Sequence, residues 1–121
     1  LEGKSDAYKK QLLNIVHDAL VEAIKIPDWD RIQILHEHKH SNFEIPPGKT
    51  DNYTSIEMLM FPGRSREAKR RICELITNNL KSALGIDESD VMIILLEPPM
   101  ENWGVLGKPA TDLDHGFTID V

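Results

Sequence analysis

The chain has little cysteine, no long apolar run and no excess of positive charge. Cys73 is the only cysteine among 121 residues, so an intrachain disulfide framework is excluded and a reducing compartment is expected. No apolar run approaches the roughly 20 residues of a membrane-spanning helix, and no signal-peptide pattern is visible. The net charge of −6 argues against nucleic acid as the main partner, because phosphate binding needs a cationic surface. These deficits predict a cytoplasmic protein without nucleic-acid or membrane partners.

What the sequence does contain is a repeat with a constant offset of sixty residues and no gap. The segment Gly3–Ser5 lies over Gly63–Ser65, and matched positions continue through both halves. Identical residues at this offset include the pairs Lys9/Lys69, Leu20/Leu80, Ala23/Ala83, Ile26/Ile86, Asp30/Asp90, Ile34/Ile94, Leu35/Leu95, Glu37/Glu97 and Asn42/Asn102. A period of this length predicts two copies of one supersecondary unit.

The second copy is predicted to be a strand–helix–strand unit. The strand Thr54–Phe61 precedes a helix that Ser65 caps at its start and Gly85 ends. The strand Val91–Leu96 follows and is nearly all apolar. Such a run is typical of a strand that is buried on both faces.

The first copy follows the same order from its helix onward. Ser5 is the predicted N-cap, the pair Ile26-Pro27 is predicted to end the helix, and Arg31–Leu35 is the predicted strand. The counterpart of Thr54–Phe61 would begin about seven residues before Leu1. We therefore expect that the N-terminal strand of this copy, and with it the true N-terminus, is missing from the sequence.

The chain is predicted to form a single domain over residues 1–121. Its fold class is α/β (α+β), with a duplicated β-α-β unit. The repeats occupy about residues 1–45 and 54–107, and a segment rich in Pro, Gly, Lys and Asn joins them. Right-handed crossovers would join parallel strands, giving a four-stranded sheet with two helices on one face. The other face would be open, and we expect oligomerisation through that face to cover it.

A basic stretch, Arg64–Arg71, interrupts this acidic chain at the start of the second helix. Cations in the first turn of a helix oppose its macrodipole. Arg64 stands at the strand-to-helix turn, where its guanidinium can join the free N–H groups of the helix to bind a carboxylate or phosphate. Lys69, Arg70 and Arg71 are interpreted instead as a solvated helix face with acidic partners.

The segment His36–His40 reads His-Glu-His-Lys-His and matches the H-E-x-x-H pattern of zinc proteases. That pattern works on a helix, whereas this segment follows a predicted strand, and Glu37 aligns with Glu97 at the end of another strand. We expect surface histidines and no metal; histidines that alternate on a strand leave incidental metal binding as the alternative. His17 and Cys73 lie on or beside apolar helix faces and are expected to be structural.

Asp30 and Asp90 occupy the same place in the two copies, the turn before each second strand. Turn chemistry explains both, and either could act as a polariser or base if the strand end faces a pocket. Trp103 is flanked by Gly104 and Gly107, which permit close backbone approach. It is either a packed core aromatic or the wall of a pocket.

Together, the repeat, the Gly-Arg-Ser turn at 63–65 and the Asn-Trp-Gly sequence at 102–104 resemble the tautomerase superfamily. The nearest branch is the long-chain one related to malonate semialdehyde decarboxylase. The similar stretches cover nearly the whole chain and are Glu2–Asp6, His17–Ala19, Pro27–Arg31, Phe61–Lys69, Asp90-Val91, Glu97 and Asn102–Gly107. The resemblance implies a duplicated β-α-β fold that assembles as a homotrimer, and an enzyme without a cofactor.

The resemblance also implies the chemistry. The family's key residue is an amino-terminal proline, exposed by removal of the initiator Met, and its secondary amine acts as a general base or as a polarising cation. It would fall at the position that matches Thr54. By residue match, Arg64 would hold the substrate carboxylate and Asp30 would assist water or the carboxylate group. Trp103 and Val105 would bind the substrate at the pocket wall.

One position departs from the family pattern. The decarboxylase branch has a second arginine two positions before the match of Arg64, and Pro62 stands there in this chain. We therefore expect a tautomerase-like isomerase, or a related lyase or hydratase, acting on a small carboxylate-bearing keto or enol compound by proline-mediated proton transfer or hydration. Two other classes stay open: a non-enzymatic ferredoxin-like ligand-binding module and a catalytically silent trimeric interaction protein.

Overall fold

The computed structural model describes residues 1–112 of the chain, so the last part of the predicted domain, residues 113–121, lies outside the described residues. The helices and strands are α1 (Asp6–Ile24), β1 (Thr54–Leu59), α2 (Arg66–Leu84), β2 (Val91–Leu96), β3 (Gly104–Val105) and β4 (Lys108–Pro109). Short 3-10 helices lie at His40–Asn42, Glu88–Asp90, Met100–Asn102 and Ala110–Asp112. Neither α-helix in this part of the chain has both the length and the apolar run of a membrane span.

The two helices begin and end alike, sixty residues apart. Ser5 and Ser65 are the N-caps, both with φ −71° and ψ 161°, and each hydroxyl accepts a hydrogen bond from the backbone N–H three residues further on. At the other ends Lys25 and Gly85 both adopt the left-handed conformation, with φ of 59° and 68°. This conformation strains a residue that has a Cβ but not glycine. The predicted N-caps and the Gly85 C-cap are confirmed.

The second copy forms the predicted β-α-β unit. Strands β1 and β2 are parallel and paired from Thr54 opposite Val91 to Leu59 opposite Leu96. Helix α2 makes the crossover between them. The pairing continues one step past β1, where the backbone N–H of Met60 donates to the carbonyl of Leu96 over 2.8 Å.

Both helices pack on one face of this two-stranded sheet. Ile72, Ile76 and Leu80 follow each other at helical spacing along α2 and are completely buried. Ile56 and Met58 of β1 are buried on the same side. The opposite face carries exposed apolar side chains, which are Leu59, Met92, Ile94 and Leu96. Strand β2 is thus covered on one face within a single chain, not on both as its composition predicts.

The predicted strand Arg31–Leu35 is not a strand in the structure, and the main sheet of the described residues has two strands rather than four. A strand needs a neighbour that pairs with its N–H and C=O groups, and none of the described residues forms a ladder with this segment. Side chains hold it to α1 instead. The guanidinium of Arg31 donates to Asn14 Oδ1 over 3.0 Å, and Gln33 Nε2 donates to the carbonyl of Leu13 over 2.9 Å.

The sixty-residue offset also holds for ion pairs between the helices and the segments that follow them. Lys9 Nζ lies 2.6 Å from Glu37 Oε1 in the first copy, and Lys69 pairs with Glu97 in the second. The hydrogen bond from Lys9 holds the pKa of the Glu37 carboxyl below its usual range. The 3-10 helices that begin at residues 40 and 100 keep the same offset. The helices, these ion pairs and these 3-10 helices therefore repeat at the offset of the sequence, whereas the strand predicted at Arg31–Leu35 does not form.

Candidate active site

A cavity of about 1290 Å³ opens between α1, β1 and residues 29–38. Its lining is largely apolar and includes Leu12, Leu13, Val16, Leu20 and Ile24 of α1 and Ile56, Met58 and Leu59 of β1. All four residues that the sequence assigns to the site line this cavity: Asp30, Arg64, Trp103 and Val105.

Arg64 is buried in the turn between β1 and α2, with 7% of its surface exposed. Its Nη1 donates a hydrogen bond to the carbonyl of Phe61 over 3.1 Å. Gly63 before it has φ 116°, a conformation that only glycine adopts without strain. Ser65 after it caps α2, so Arg64 directly precedes a helix N-terminus. Free N–H groups and the helix dipole both favour a bound anion there.

Trp103 is placed by two contacts that the sequence does not reveal. Its indole Nε1 donates to the carbonyl of Pro98 over 3.0 Å. Its ring meets that of Phe61 edge-on, with ring centroids 4.9 Å apart and an angle of 75°. Phe61 therefore touches both predicted site residues, Arg64 through its carbonyl and Trp103 through its ring. It also lines the cavity, and its position at the end of the predicted strand is the one signal that could have identified it.

Val105 belongs to a short hairpin that closes one side of the cavity. Strands β3 and β4 are antiparallel, with Val105 opposite Lys108. Leu106 and Gly107 in the turn both have positive φ, 53° and 77°, as a two-residue hairpin turn of type I′ requires. The backbone N–H of Ala110 donates to the carbonyl of Trp103 over 2.8 Å. The hairpin thus fixes Val105 and Trp103 on the same wall.

Asp30 and Asp90 occupy equivalent turns but have different surroundings. Each backbone N–H closes its turn on a carbonyl three residues earlier, over 3.0 Å for Asp30 and 2.9 Å for Asp90. Asp90 is buried, and its carboxylate accepts hydrogen bonds from the backbone N–H and the hydroxyl of Thr50, at 3.0 and 2.5 Å. These hydrogen bonds hold the pKa of the Asp90 carboxyl below its usual range. Asp90 is a structural anchor, whereas Asp30 is partly exposed and lines the cavity.

Comparison with known proteins identifies the family to which this chain belongs. The family model described as tautomerase enzyme matches residues 30–105, and a second model with the same description matches residues 1–49. The chain is 32% identical over 107 residues to probable tautomerase YrdN of Bacillus subtilis (strain 168), covering 85% of this chain and 83% of the relative. The chain belongs to the tautomerase superfamily.

Other members match parts of the chain or its whole fold. A 2-hydroxymuconate tautomerase of Comamonas testosteroni is 35% identical over 57 residues, which are 47% of this chain and 90% of that protein. The structure of a malonate semialdehyde decarboxylase superposes with a TM-score of 0.78 at 27% identity, covering 87% of this chain and 84% of its own. A fused 4-OT protein solved as an asymmetric trimer shares the fold, with a TM-score of 0.81, 22% identity, and coverage of 92% and 91%. The superfamily resemblance, the β-α-β fold class and membership of an enzyme family are thereby confirmed.

Within this tautomerase fold, the first-copy counterpart of Arg64 has different partners. Lys4 Nζ lies 2.5 Å from Asn52 Oδ1 and 5.3 Å from the centroid of the Tyr8 ring. A lysine is a point charge without the planar fork of arginine. Although Lys4 also lines the cavity, the two helix N-termini are not equivalent anion sites. The arrangement favours Arg64 over Lys4 as the residue that binds an anion.

The other cations of the basic stretch lie in ion pairs on the surface of α2. Lys69 pairs with Glu97, and Arg71 Nη2 lies 2.8 Å from Glu22 Oε1. Arg70 lies 3.9 Å from an oxygen of Glu67, one helical turn away, and both side chains are mostly exposed. This placement agrees with the interpretation of these cations as a solvated helix face.

The histidine-rich segment 36–40 does not form a zinc-protease site. It lies outside the α-helices, and the Glu37 carboxylate is engaged by Lys9. His36 and His38 stack with ring centroids 6.2 Å apart, and His40 Nε2 lies 3.5 Å from Asp51 Oδ1. Among the described residues, the group whose geometry could hold a metal ion is instead His17, Asp18 and Asp28.

Proposed function

We propose that this chain is a keto–enol tautomerase of small carboxylate-bearing compounds. The observation that carries the proposal is a buried arginine, Arg64, in the wall of a largely apolar cavity and beside a helix N-terminus. The free N–H groups and the dipole of that helix N-terminus favour a bound anion in the same place. The 2-hydroxymuconate tautomerase among the relatives acts, by its name, on an acid of this class.

In this proposal Arg64 holds the substrate carboxylate, and the wall of the cavity that contains Trp103 holds the carbon chain of the substrate. A guanidinium matches the geometry of a carboxylate with two parallel hydrogen bonds. Trp103 and Val105 line the same cavity and supply apolar contact to the carbon chain. Substrate orientation would thus come from one charged contact and one apolar wall.

Proton transfer is assigned to an amino-terminal proline, as the family resemblance implies. The sixty-residue offset pairs this proline with Thr54, the first residue of β1, so the proline would begin the equivalent strand of the first copy. Apolar surroundings and the positive charge of Arg64 both disfavour the ammonium form, so the pKa of the amine would fall toward neutrality. The amine would take the proton of the enol hydroxyl and return a proton to carbon, while the oxygen lone pair forms the C=O bond.

Asp30 is proposed to orient water or the polar end of the substrate in the same cavity. With an unsaturated acid that accepts water, the same carboxylate could assist hydration. The residue two positions before Arg64 is Pro62, where the decarboxylase branch carries a second arginine. A single arginine favours tautomerisation over loss of CO₂. Decarboxylation remains the second candidate because a malonate semialdehyde decarboxylase shares the fold.

We further propose a cytoplasmic homotrimer that needs no cofactor. The open face of the sheet exposes Leu59, Met92, Ile94 and Leu96. Contiguous apolar surface of this kind is typical of a protein–protein interface. A fused relative of the same fold is trimeric, which supports this assembly.

The proposal is tested by turnover of two acids. The natural protein should accelerate ketonisation of 2-hydroxymuconate, followed by the loss of enol absorbance, far more than decarboxylation of malonate semialdehyde. The reverse order would assign the chain to the decarboxylase branch. Absence of turnover with both acids and with an aryl enol pyruvate would favour a ligand-binding or interaction module.

A further inference from the structure

The turn that carries Asp30 is held to α1 by a buried histidine. His17 has 2% of its side chain exposed, and its Nε2 lies 3.2 Å from Asp28 Oδ1. A carboxylate can only accept a hydrogen bond, so the imidazole donates it. Asp28 and Asp30 belong to one turn, because the backbone N–H of Asp30 donates to the carbonyl of Pro27. The imidazole therefore fixes the turn at one end while Asp30 lines the cavity at the other.

The second copy has no equivalent of this contact. At the sixty-residue offset His17 becomes Thr77, and Asp28 becomes Glu88. The strand β2 that follows the second turn is fixed by its ladder with β1. In the first copy, residues 28–33 are fixed instead by hydrogen bonds to α1: His17 donates to Asp28, Arg31 donates to Asn14, and Gln33 donates to the carbonyl of Leu13. The two copies have diverged at the turn that carries a candidate catalytic group.

We propose that His17 is a positioning residue that sets the Asp30 carboxylate in the cavity through Asp28. This inference rests on the proposed function, since it assigns Asp30 to the reacting end of the substrate. His17 is expected from the sequence to be structural, and the structure adds a directed polar contact to that role. A shift of about 1 Å in a catalytic group can lower turnover by a factor of about 100. A loosened turn should therefore lower kcat without weakening the carboxylate contact of Arg64.

A metal ion is the competing explanation for the same residues. Ligand atoms of His17, Asp18 and Asp28 lie within 4.8 Å of one another. Asp18 and Asp28 are both exposed, and a hydrogen bond explains the His17–Asp28 contact without an ion. The positioning role needs Asp28 but not Asp18, so the two explanations predict different mutants.

The test uses the natural protein and measures kcat and KM separately on 2-hydroxymuconate. His17→Ala and Asp28→Ala should each lower kcat at least about fivefold, with KM within about twofold. His17→Gln keeps an N–H donor and should recover most of the activity. On an Asp30→Ala background, Asp28→Ala should cause no further loss, because its effect passes through Asp30.

Two controls separate positioning from a general loss of structure. Asp18→Ala removes the other carboxylate beside His17, and Glu88→Ala removes the second-copy counterpart of Asp28; both should leave kcat unchanged. If Asp18→Ala and Asp28→Ala lower kcat equally, and Zn²⁺ raises the melting temperature of the wild type but not of these variants, the three residues form a metal site and the positioning role is wrong. If Asp28→Ala lowers kcat as much on the Asp30→Ala background as in the wild type, the positioning role would also be contradicted.

The outcomes also distinguish this inference from the proposed function. If Asp30→Ala and Arg64→Ala lower turnover but Asp28→Ala does not, only the positioning role fails. If the wild type does not turn over the acid, or neither Asp30→Ala nor Arg64→Ala changes its rate, the proposed function itself fails.

Discussion

Replacing Arg64 with alanine should slow turnover of a carboxylate substrate by at least about tenfold. The change removes a buried guanidinium from the wall of the cavity. A charge-assisted hydrogen bond contributes about 1.5–3 kcal/mol. At about 1.36 kcal/mol per factor of ten, this corresponds to a loss in kcat/KM of about 10- to 150-fold.

A pair of matched probes isolates the carboxylate contact. An aryl enol pyruvate carries the carboxylate, and the corresponding aryl enol aldehyde lacks it; loss of enol absorbance follows both. Because Arg64 is proposed to contact only the carboxylate, the ratio of kcat/KM for the acid to that for the aldehyde should fall about tenfold or more in Arg64→Ala. An equal loss on both probes would mean that the arginine acts through the fold.

Three variants complete the series. Arg64→Lys keeps the charge without the planar fork, so its loss should be intermediate. Arg70→Ala, on the exposed face of α2, should leave kcat/KM unchanged. Lys4→Ala should have a smaller effect than Arg64→Ala. Arg64 also donates to the carbonyl of Phe61, so circular dichroism and light scattering must show that each variant keeps its fold and assembly. Equal, small effects from the three alanine changes would refute the carboxylate clamp.

Other expected outcomes concern stability, metal and assembly. The hydrogen bonds from Thr50 lower the folded-state pKa of Asp90, so this carboxylate stabilises the fold above the ordinary aspartate pKa of about 4 and loses that effect as the pH falls through its folded-state value. Asp90→Asn should thus be less stable than the wild type to urea at pH 6, and the difference should shrink below about pH 4; a constant difference would contradict this. Prolonged treatment with EDTA should leave kcat/KM within about twofold, and a loss that zinc alone restores would show that a metal is required. Ile94→Asp, on the open sheet face, should dissociate the oligomer in light scattering, whereas a monomeric wild type at micromolar concentration would contradict the trimer.

The helices could be predicted from sequence because their determinants are local. Ser5 and Ser65 act through a hydroxyl and a backbone N–H three residues away, and Gly85 acts through its own φ. Because the repeat has a constant offset of sixty residues, the start and end of one helix then predict those of the other. The pairs Lys9–Glu37 and Lys69–Glu97 keep the same offset, although they depend on tertiary structure.

The strands and the site's supporting contacts could be predicted less well because they depend on neighbours. The apolar alternation of Arg31–Leu35 predicts a strand, yet a strand exists only beside a pairing partner. The family resemblance, with the turn positions of Asp30 and Arg64, identifies the four site residues Asp30, Arg64, Trp103 and Val105. Phe61 and His17 were not among them, because a carbonyl contact and a buried histidine–carboxylate hydrogen bond leave no spacing pattern.

The measurement that tests the central claim most directly is the covalent labelling of the natural protein by 2-oxo-3-pentynoate. The claim is that Arg64 presents a carboxylate substrate to a reactive amine, and this alkynyl ketone combines a carboxylate with carbons that amines attack. Intact mass and peptide mapping should show one adduct of the full reagent mass on the N-terminal proline, formed at least about tenfold more slowly in Arg64→Ala. Labelling elsewhere, or at the same rate in both proteins, would contradict the account.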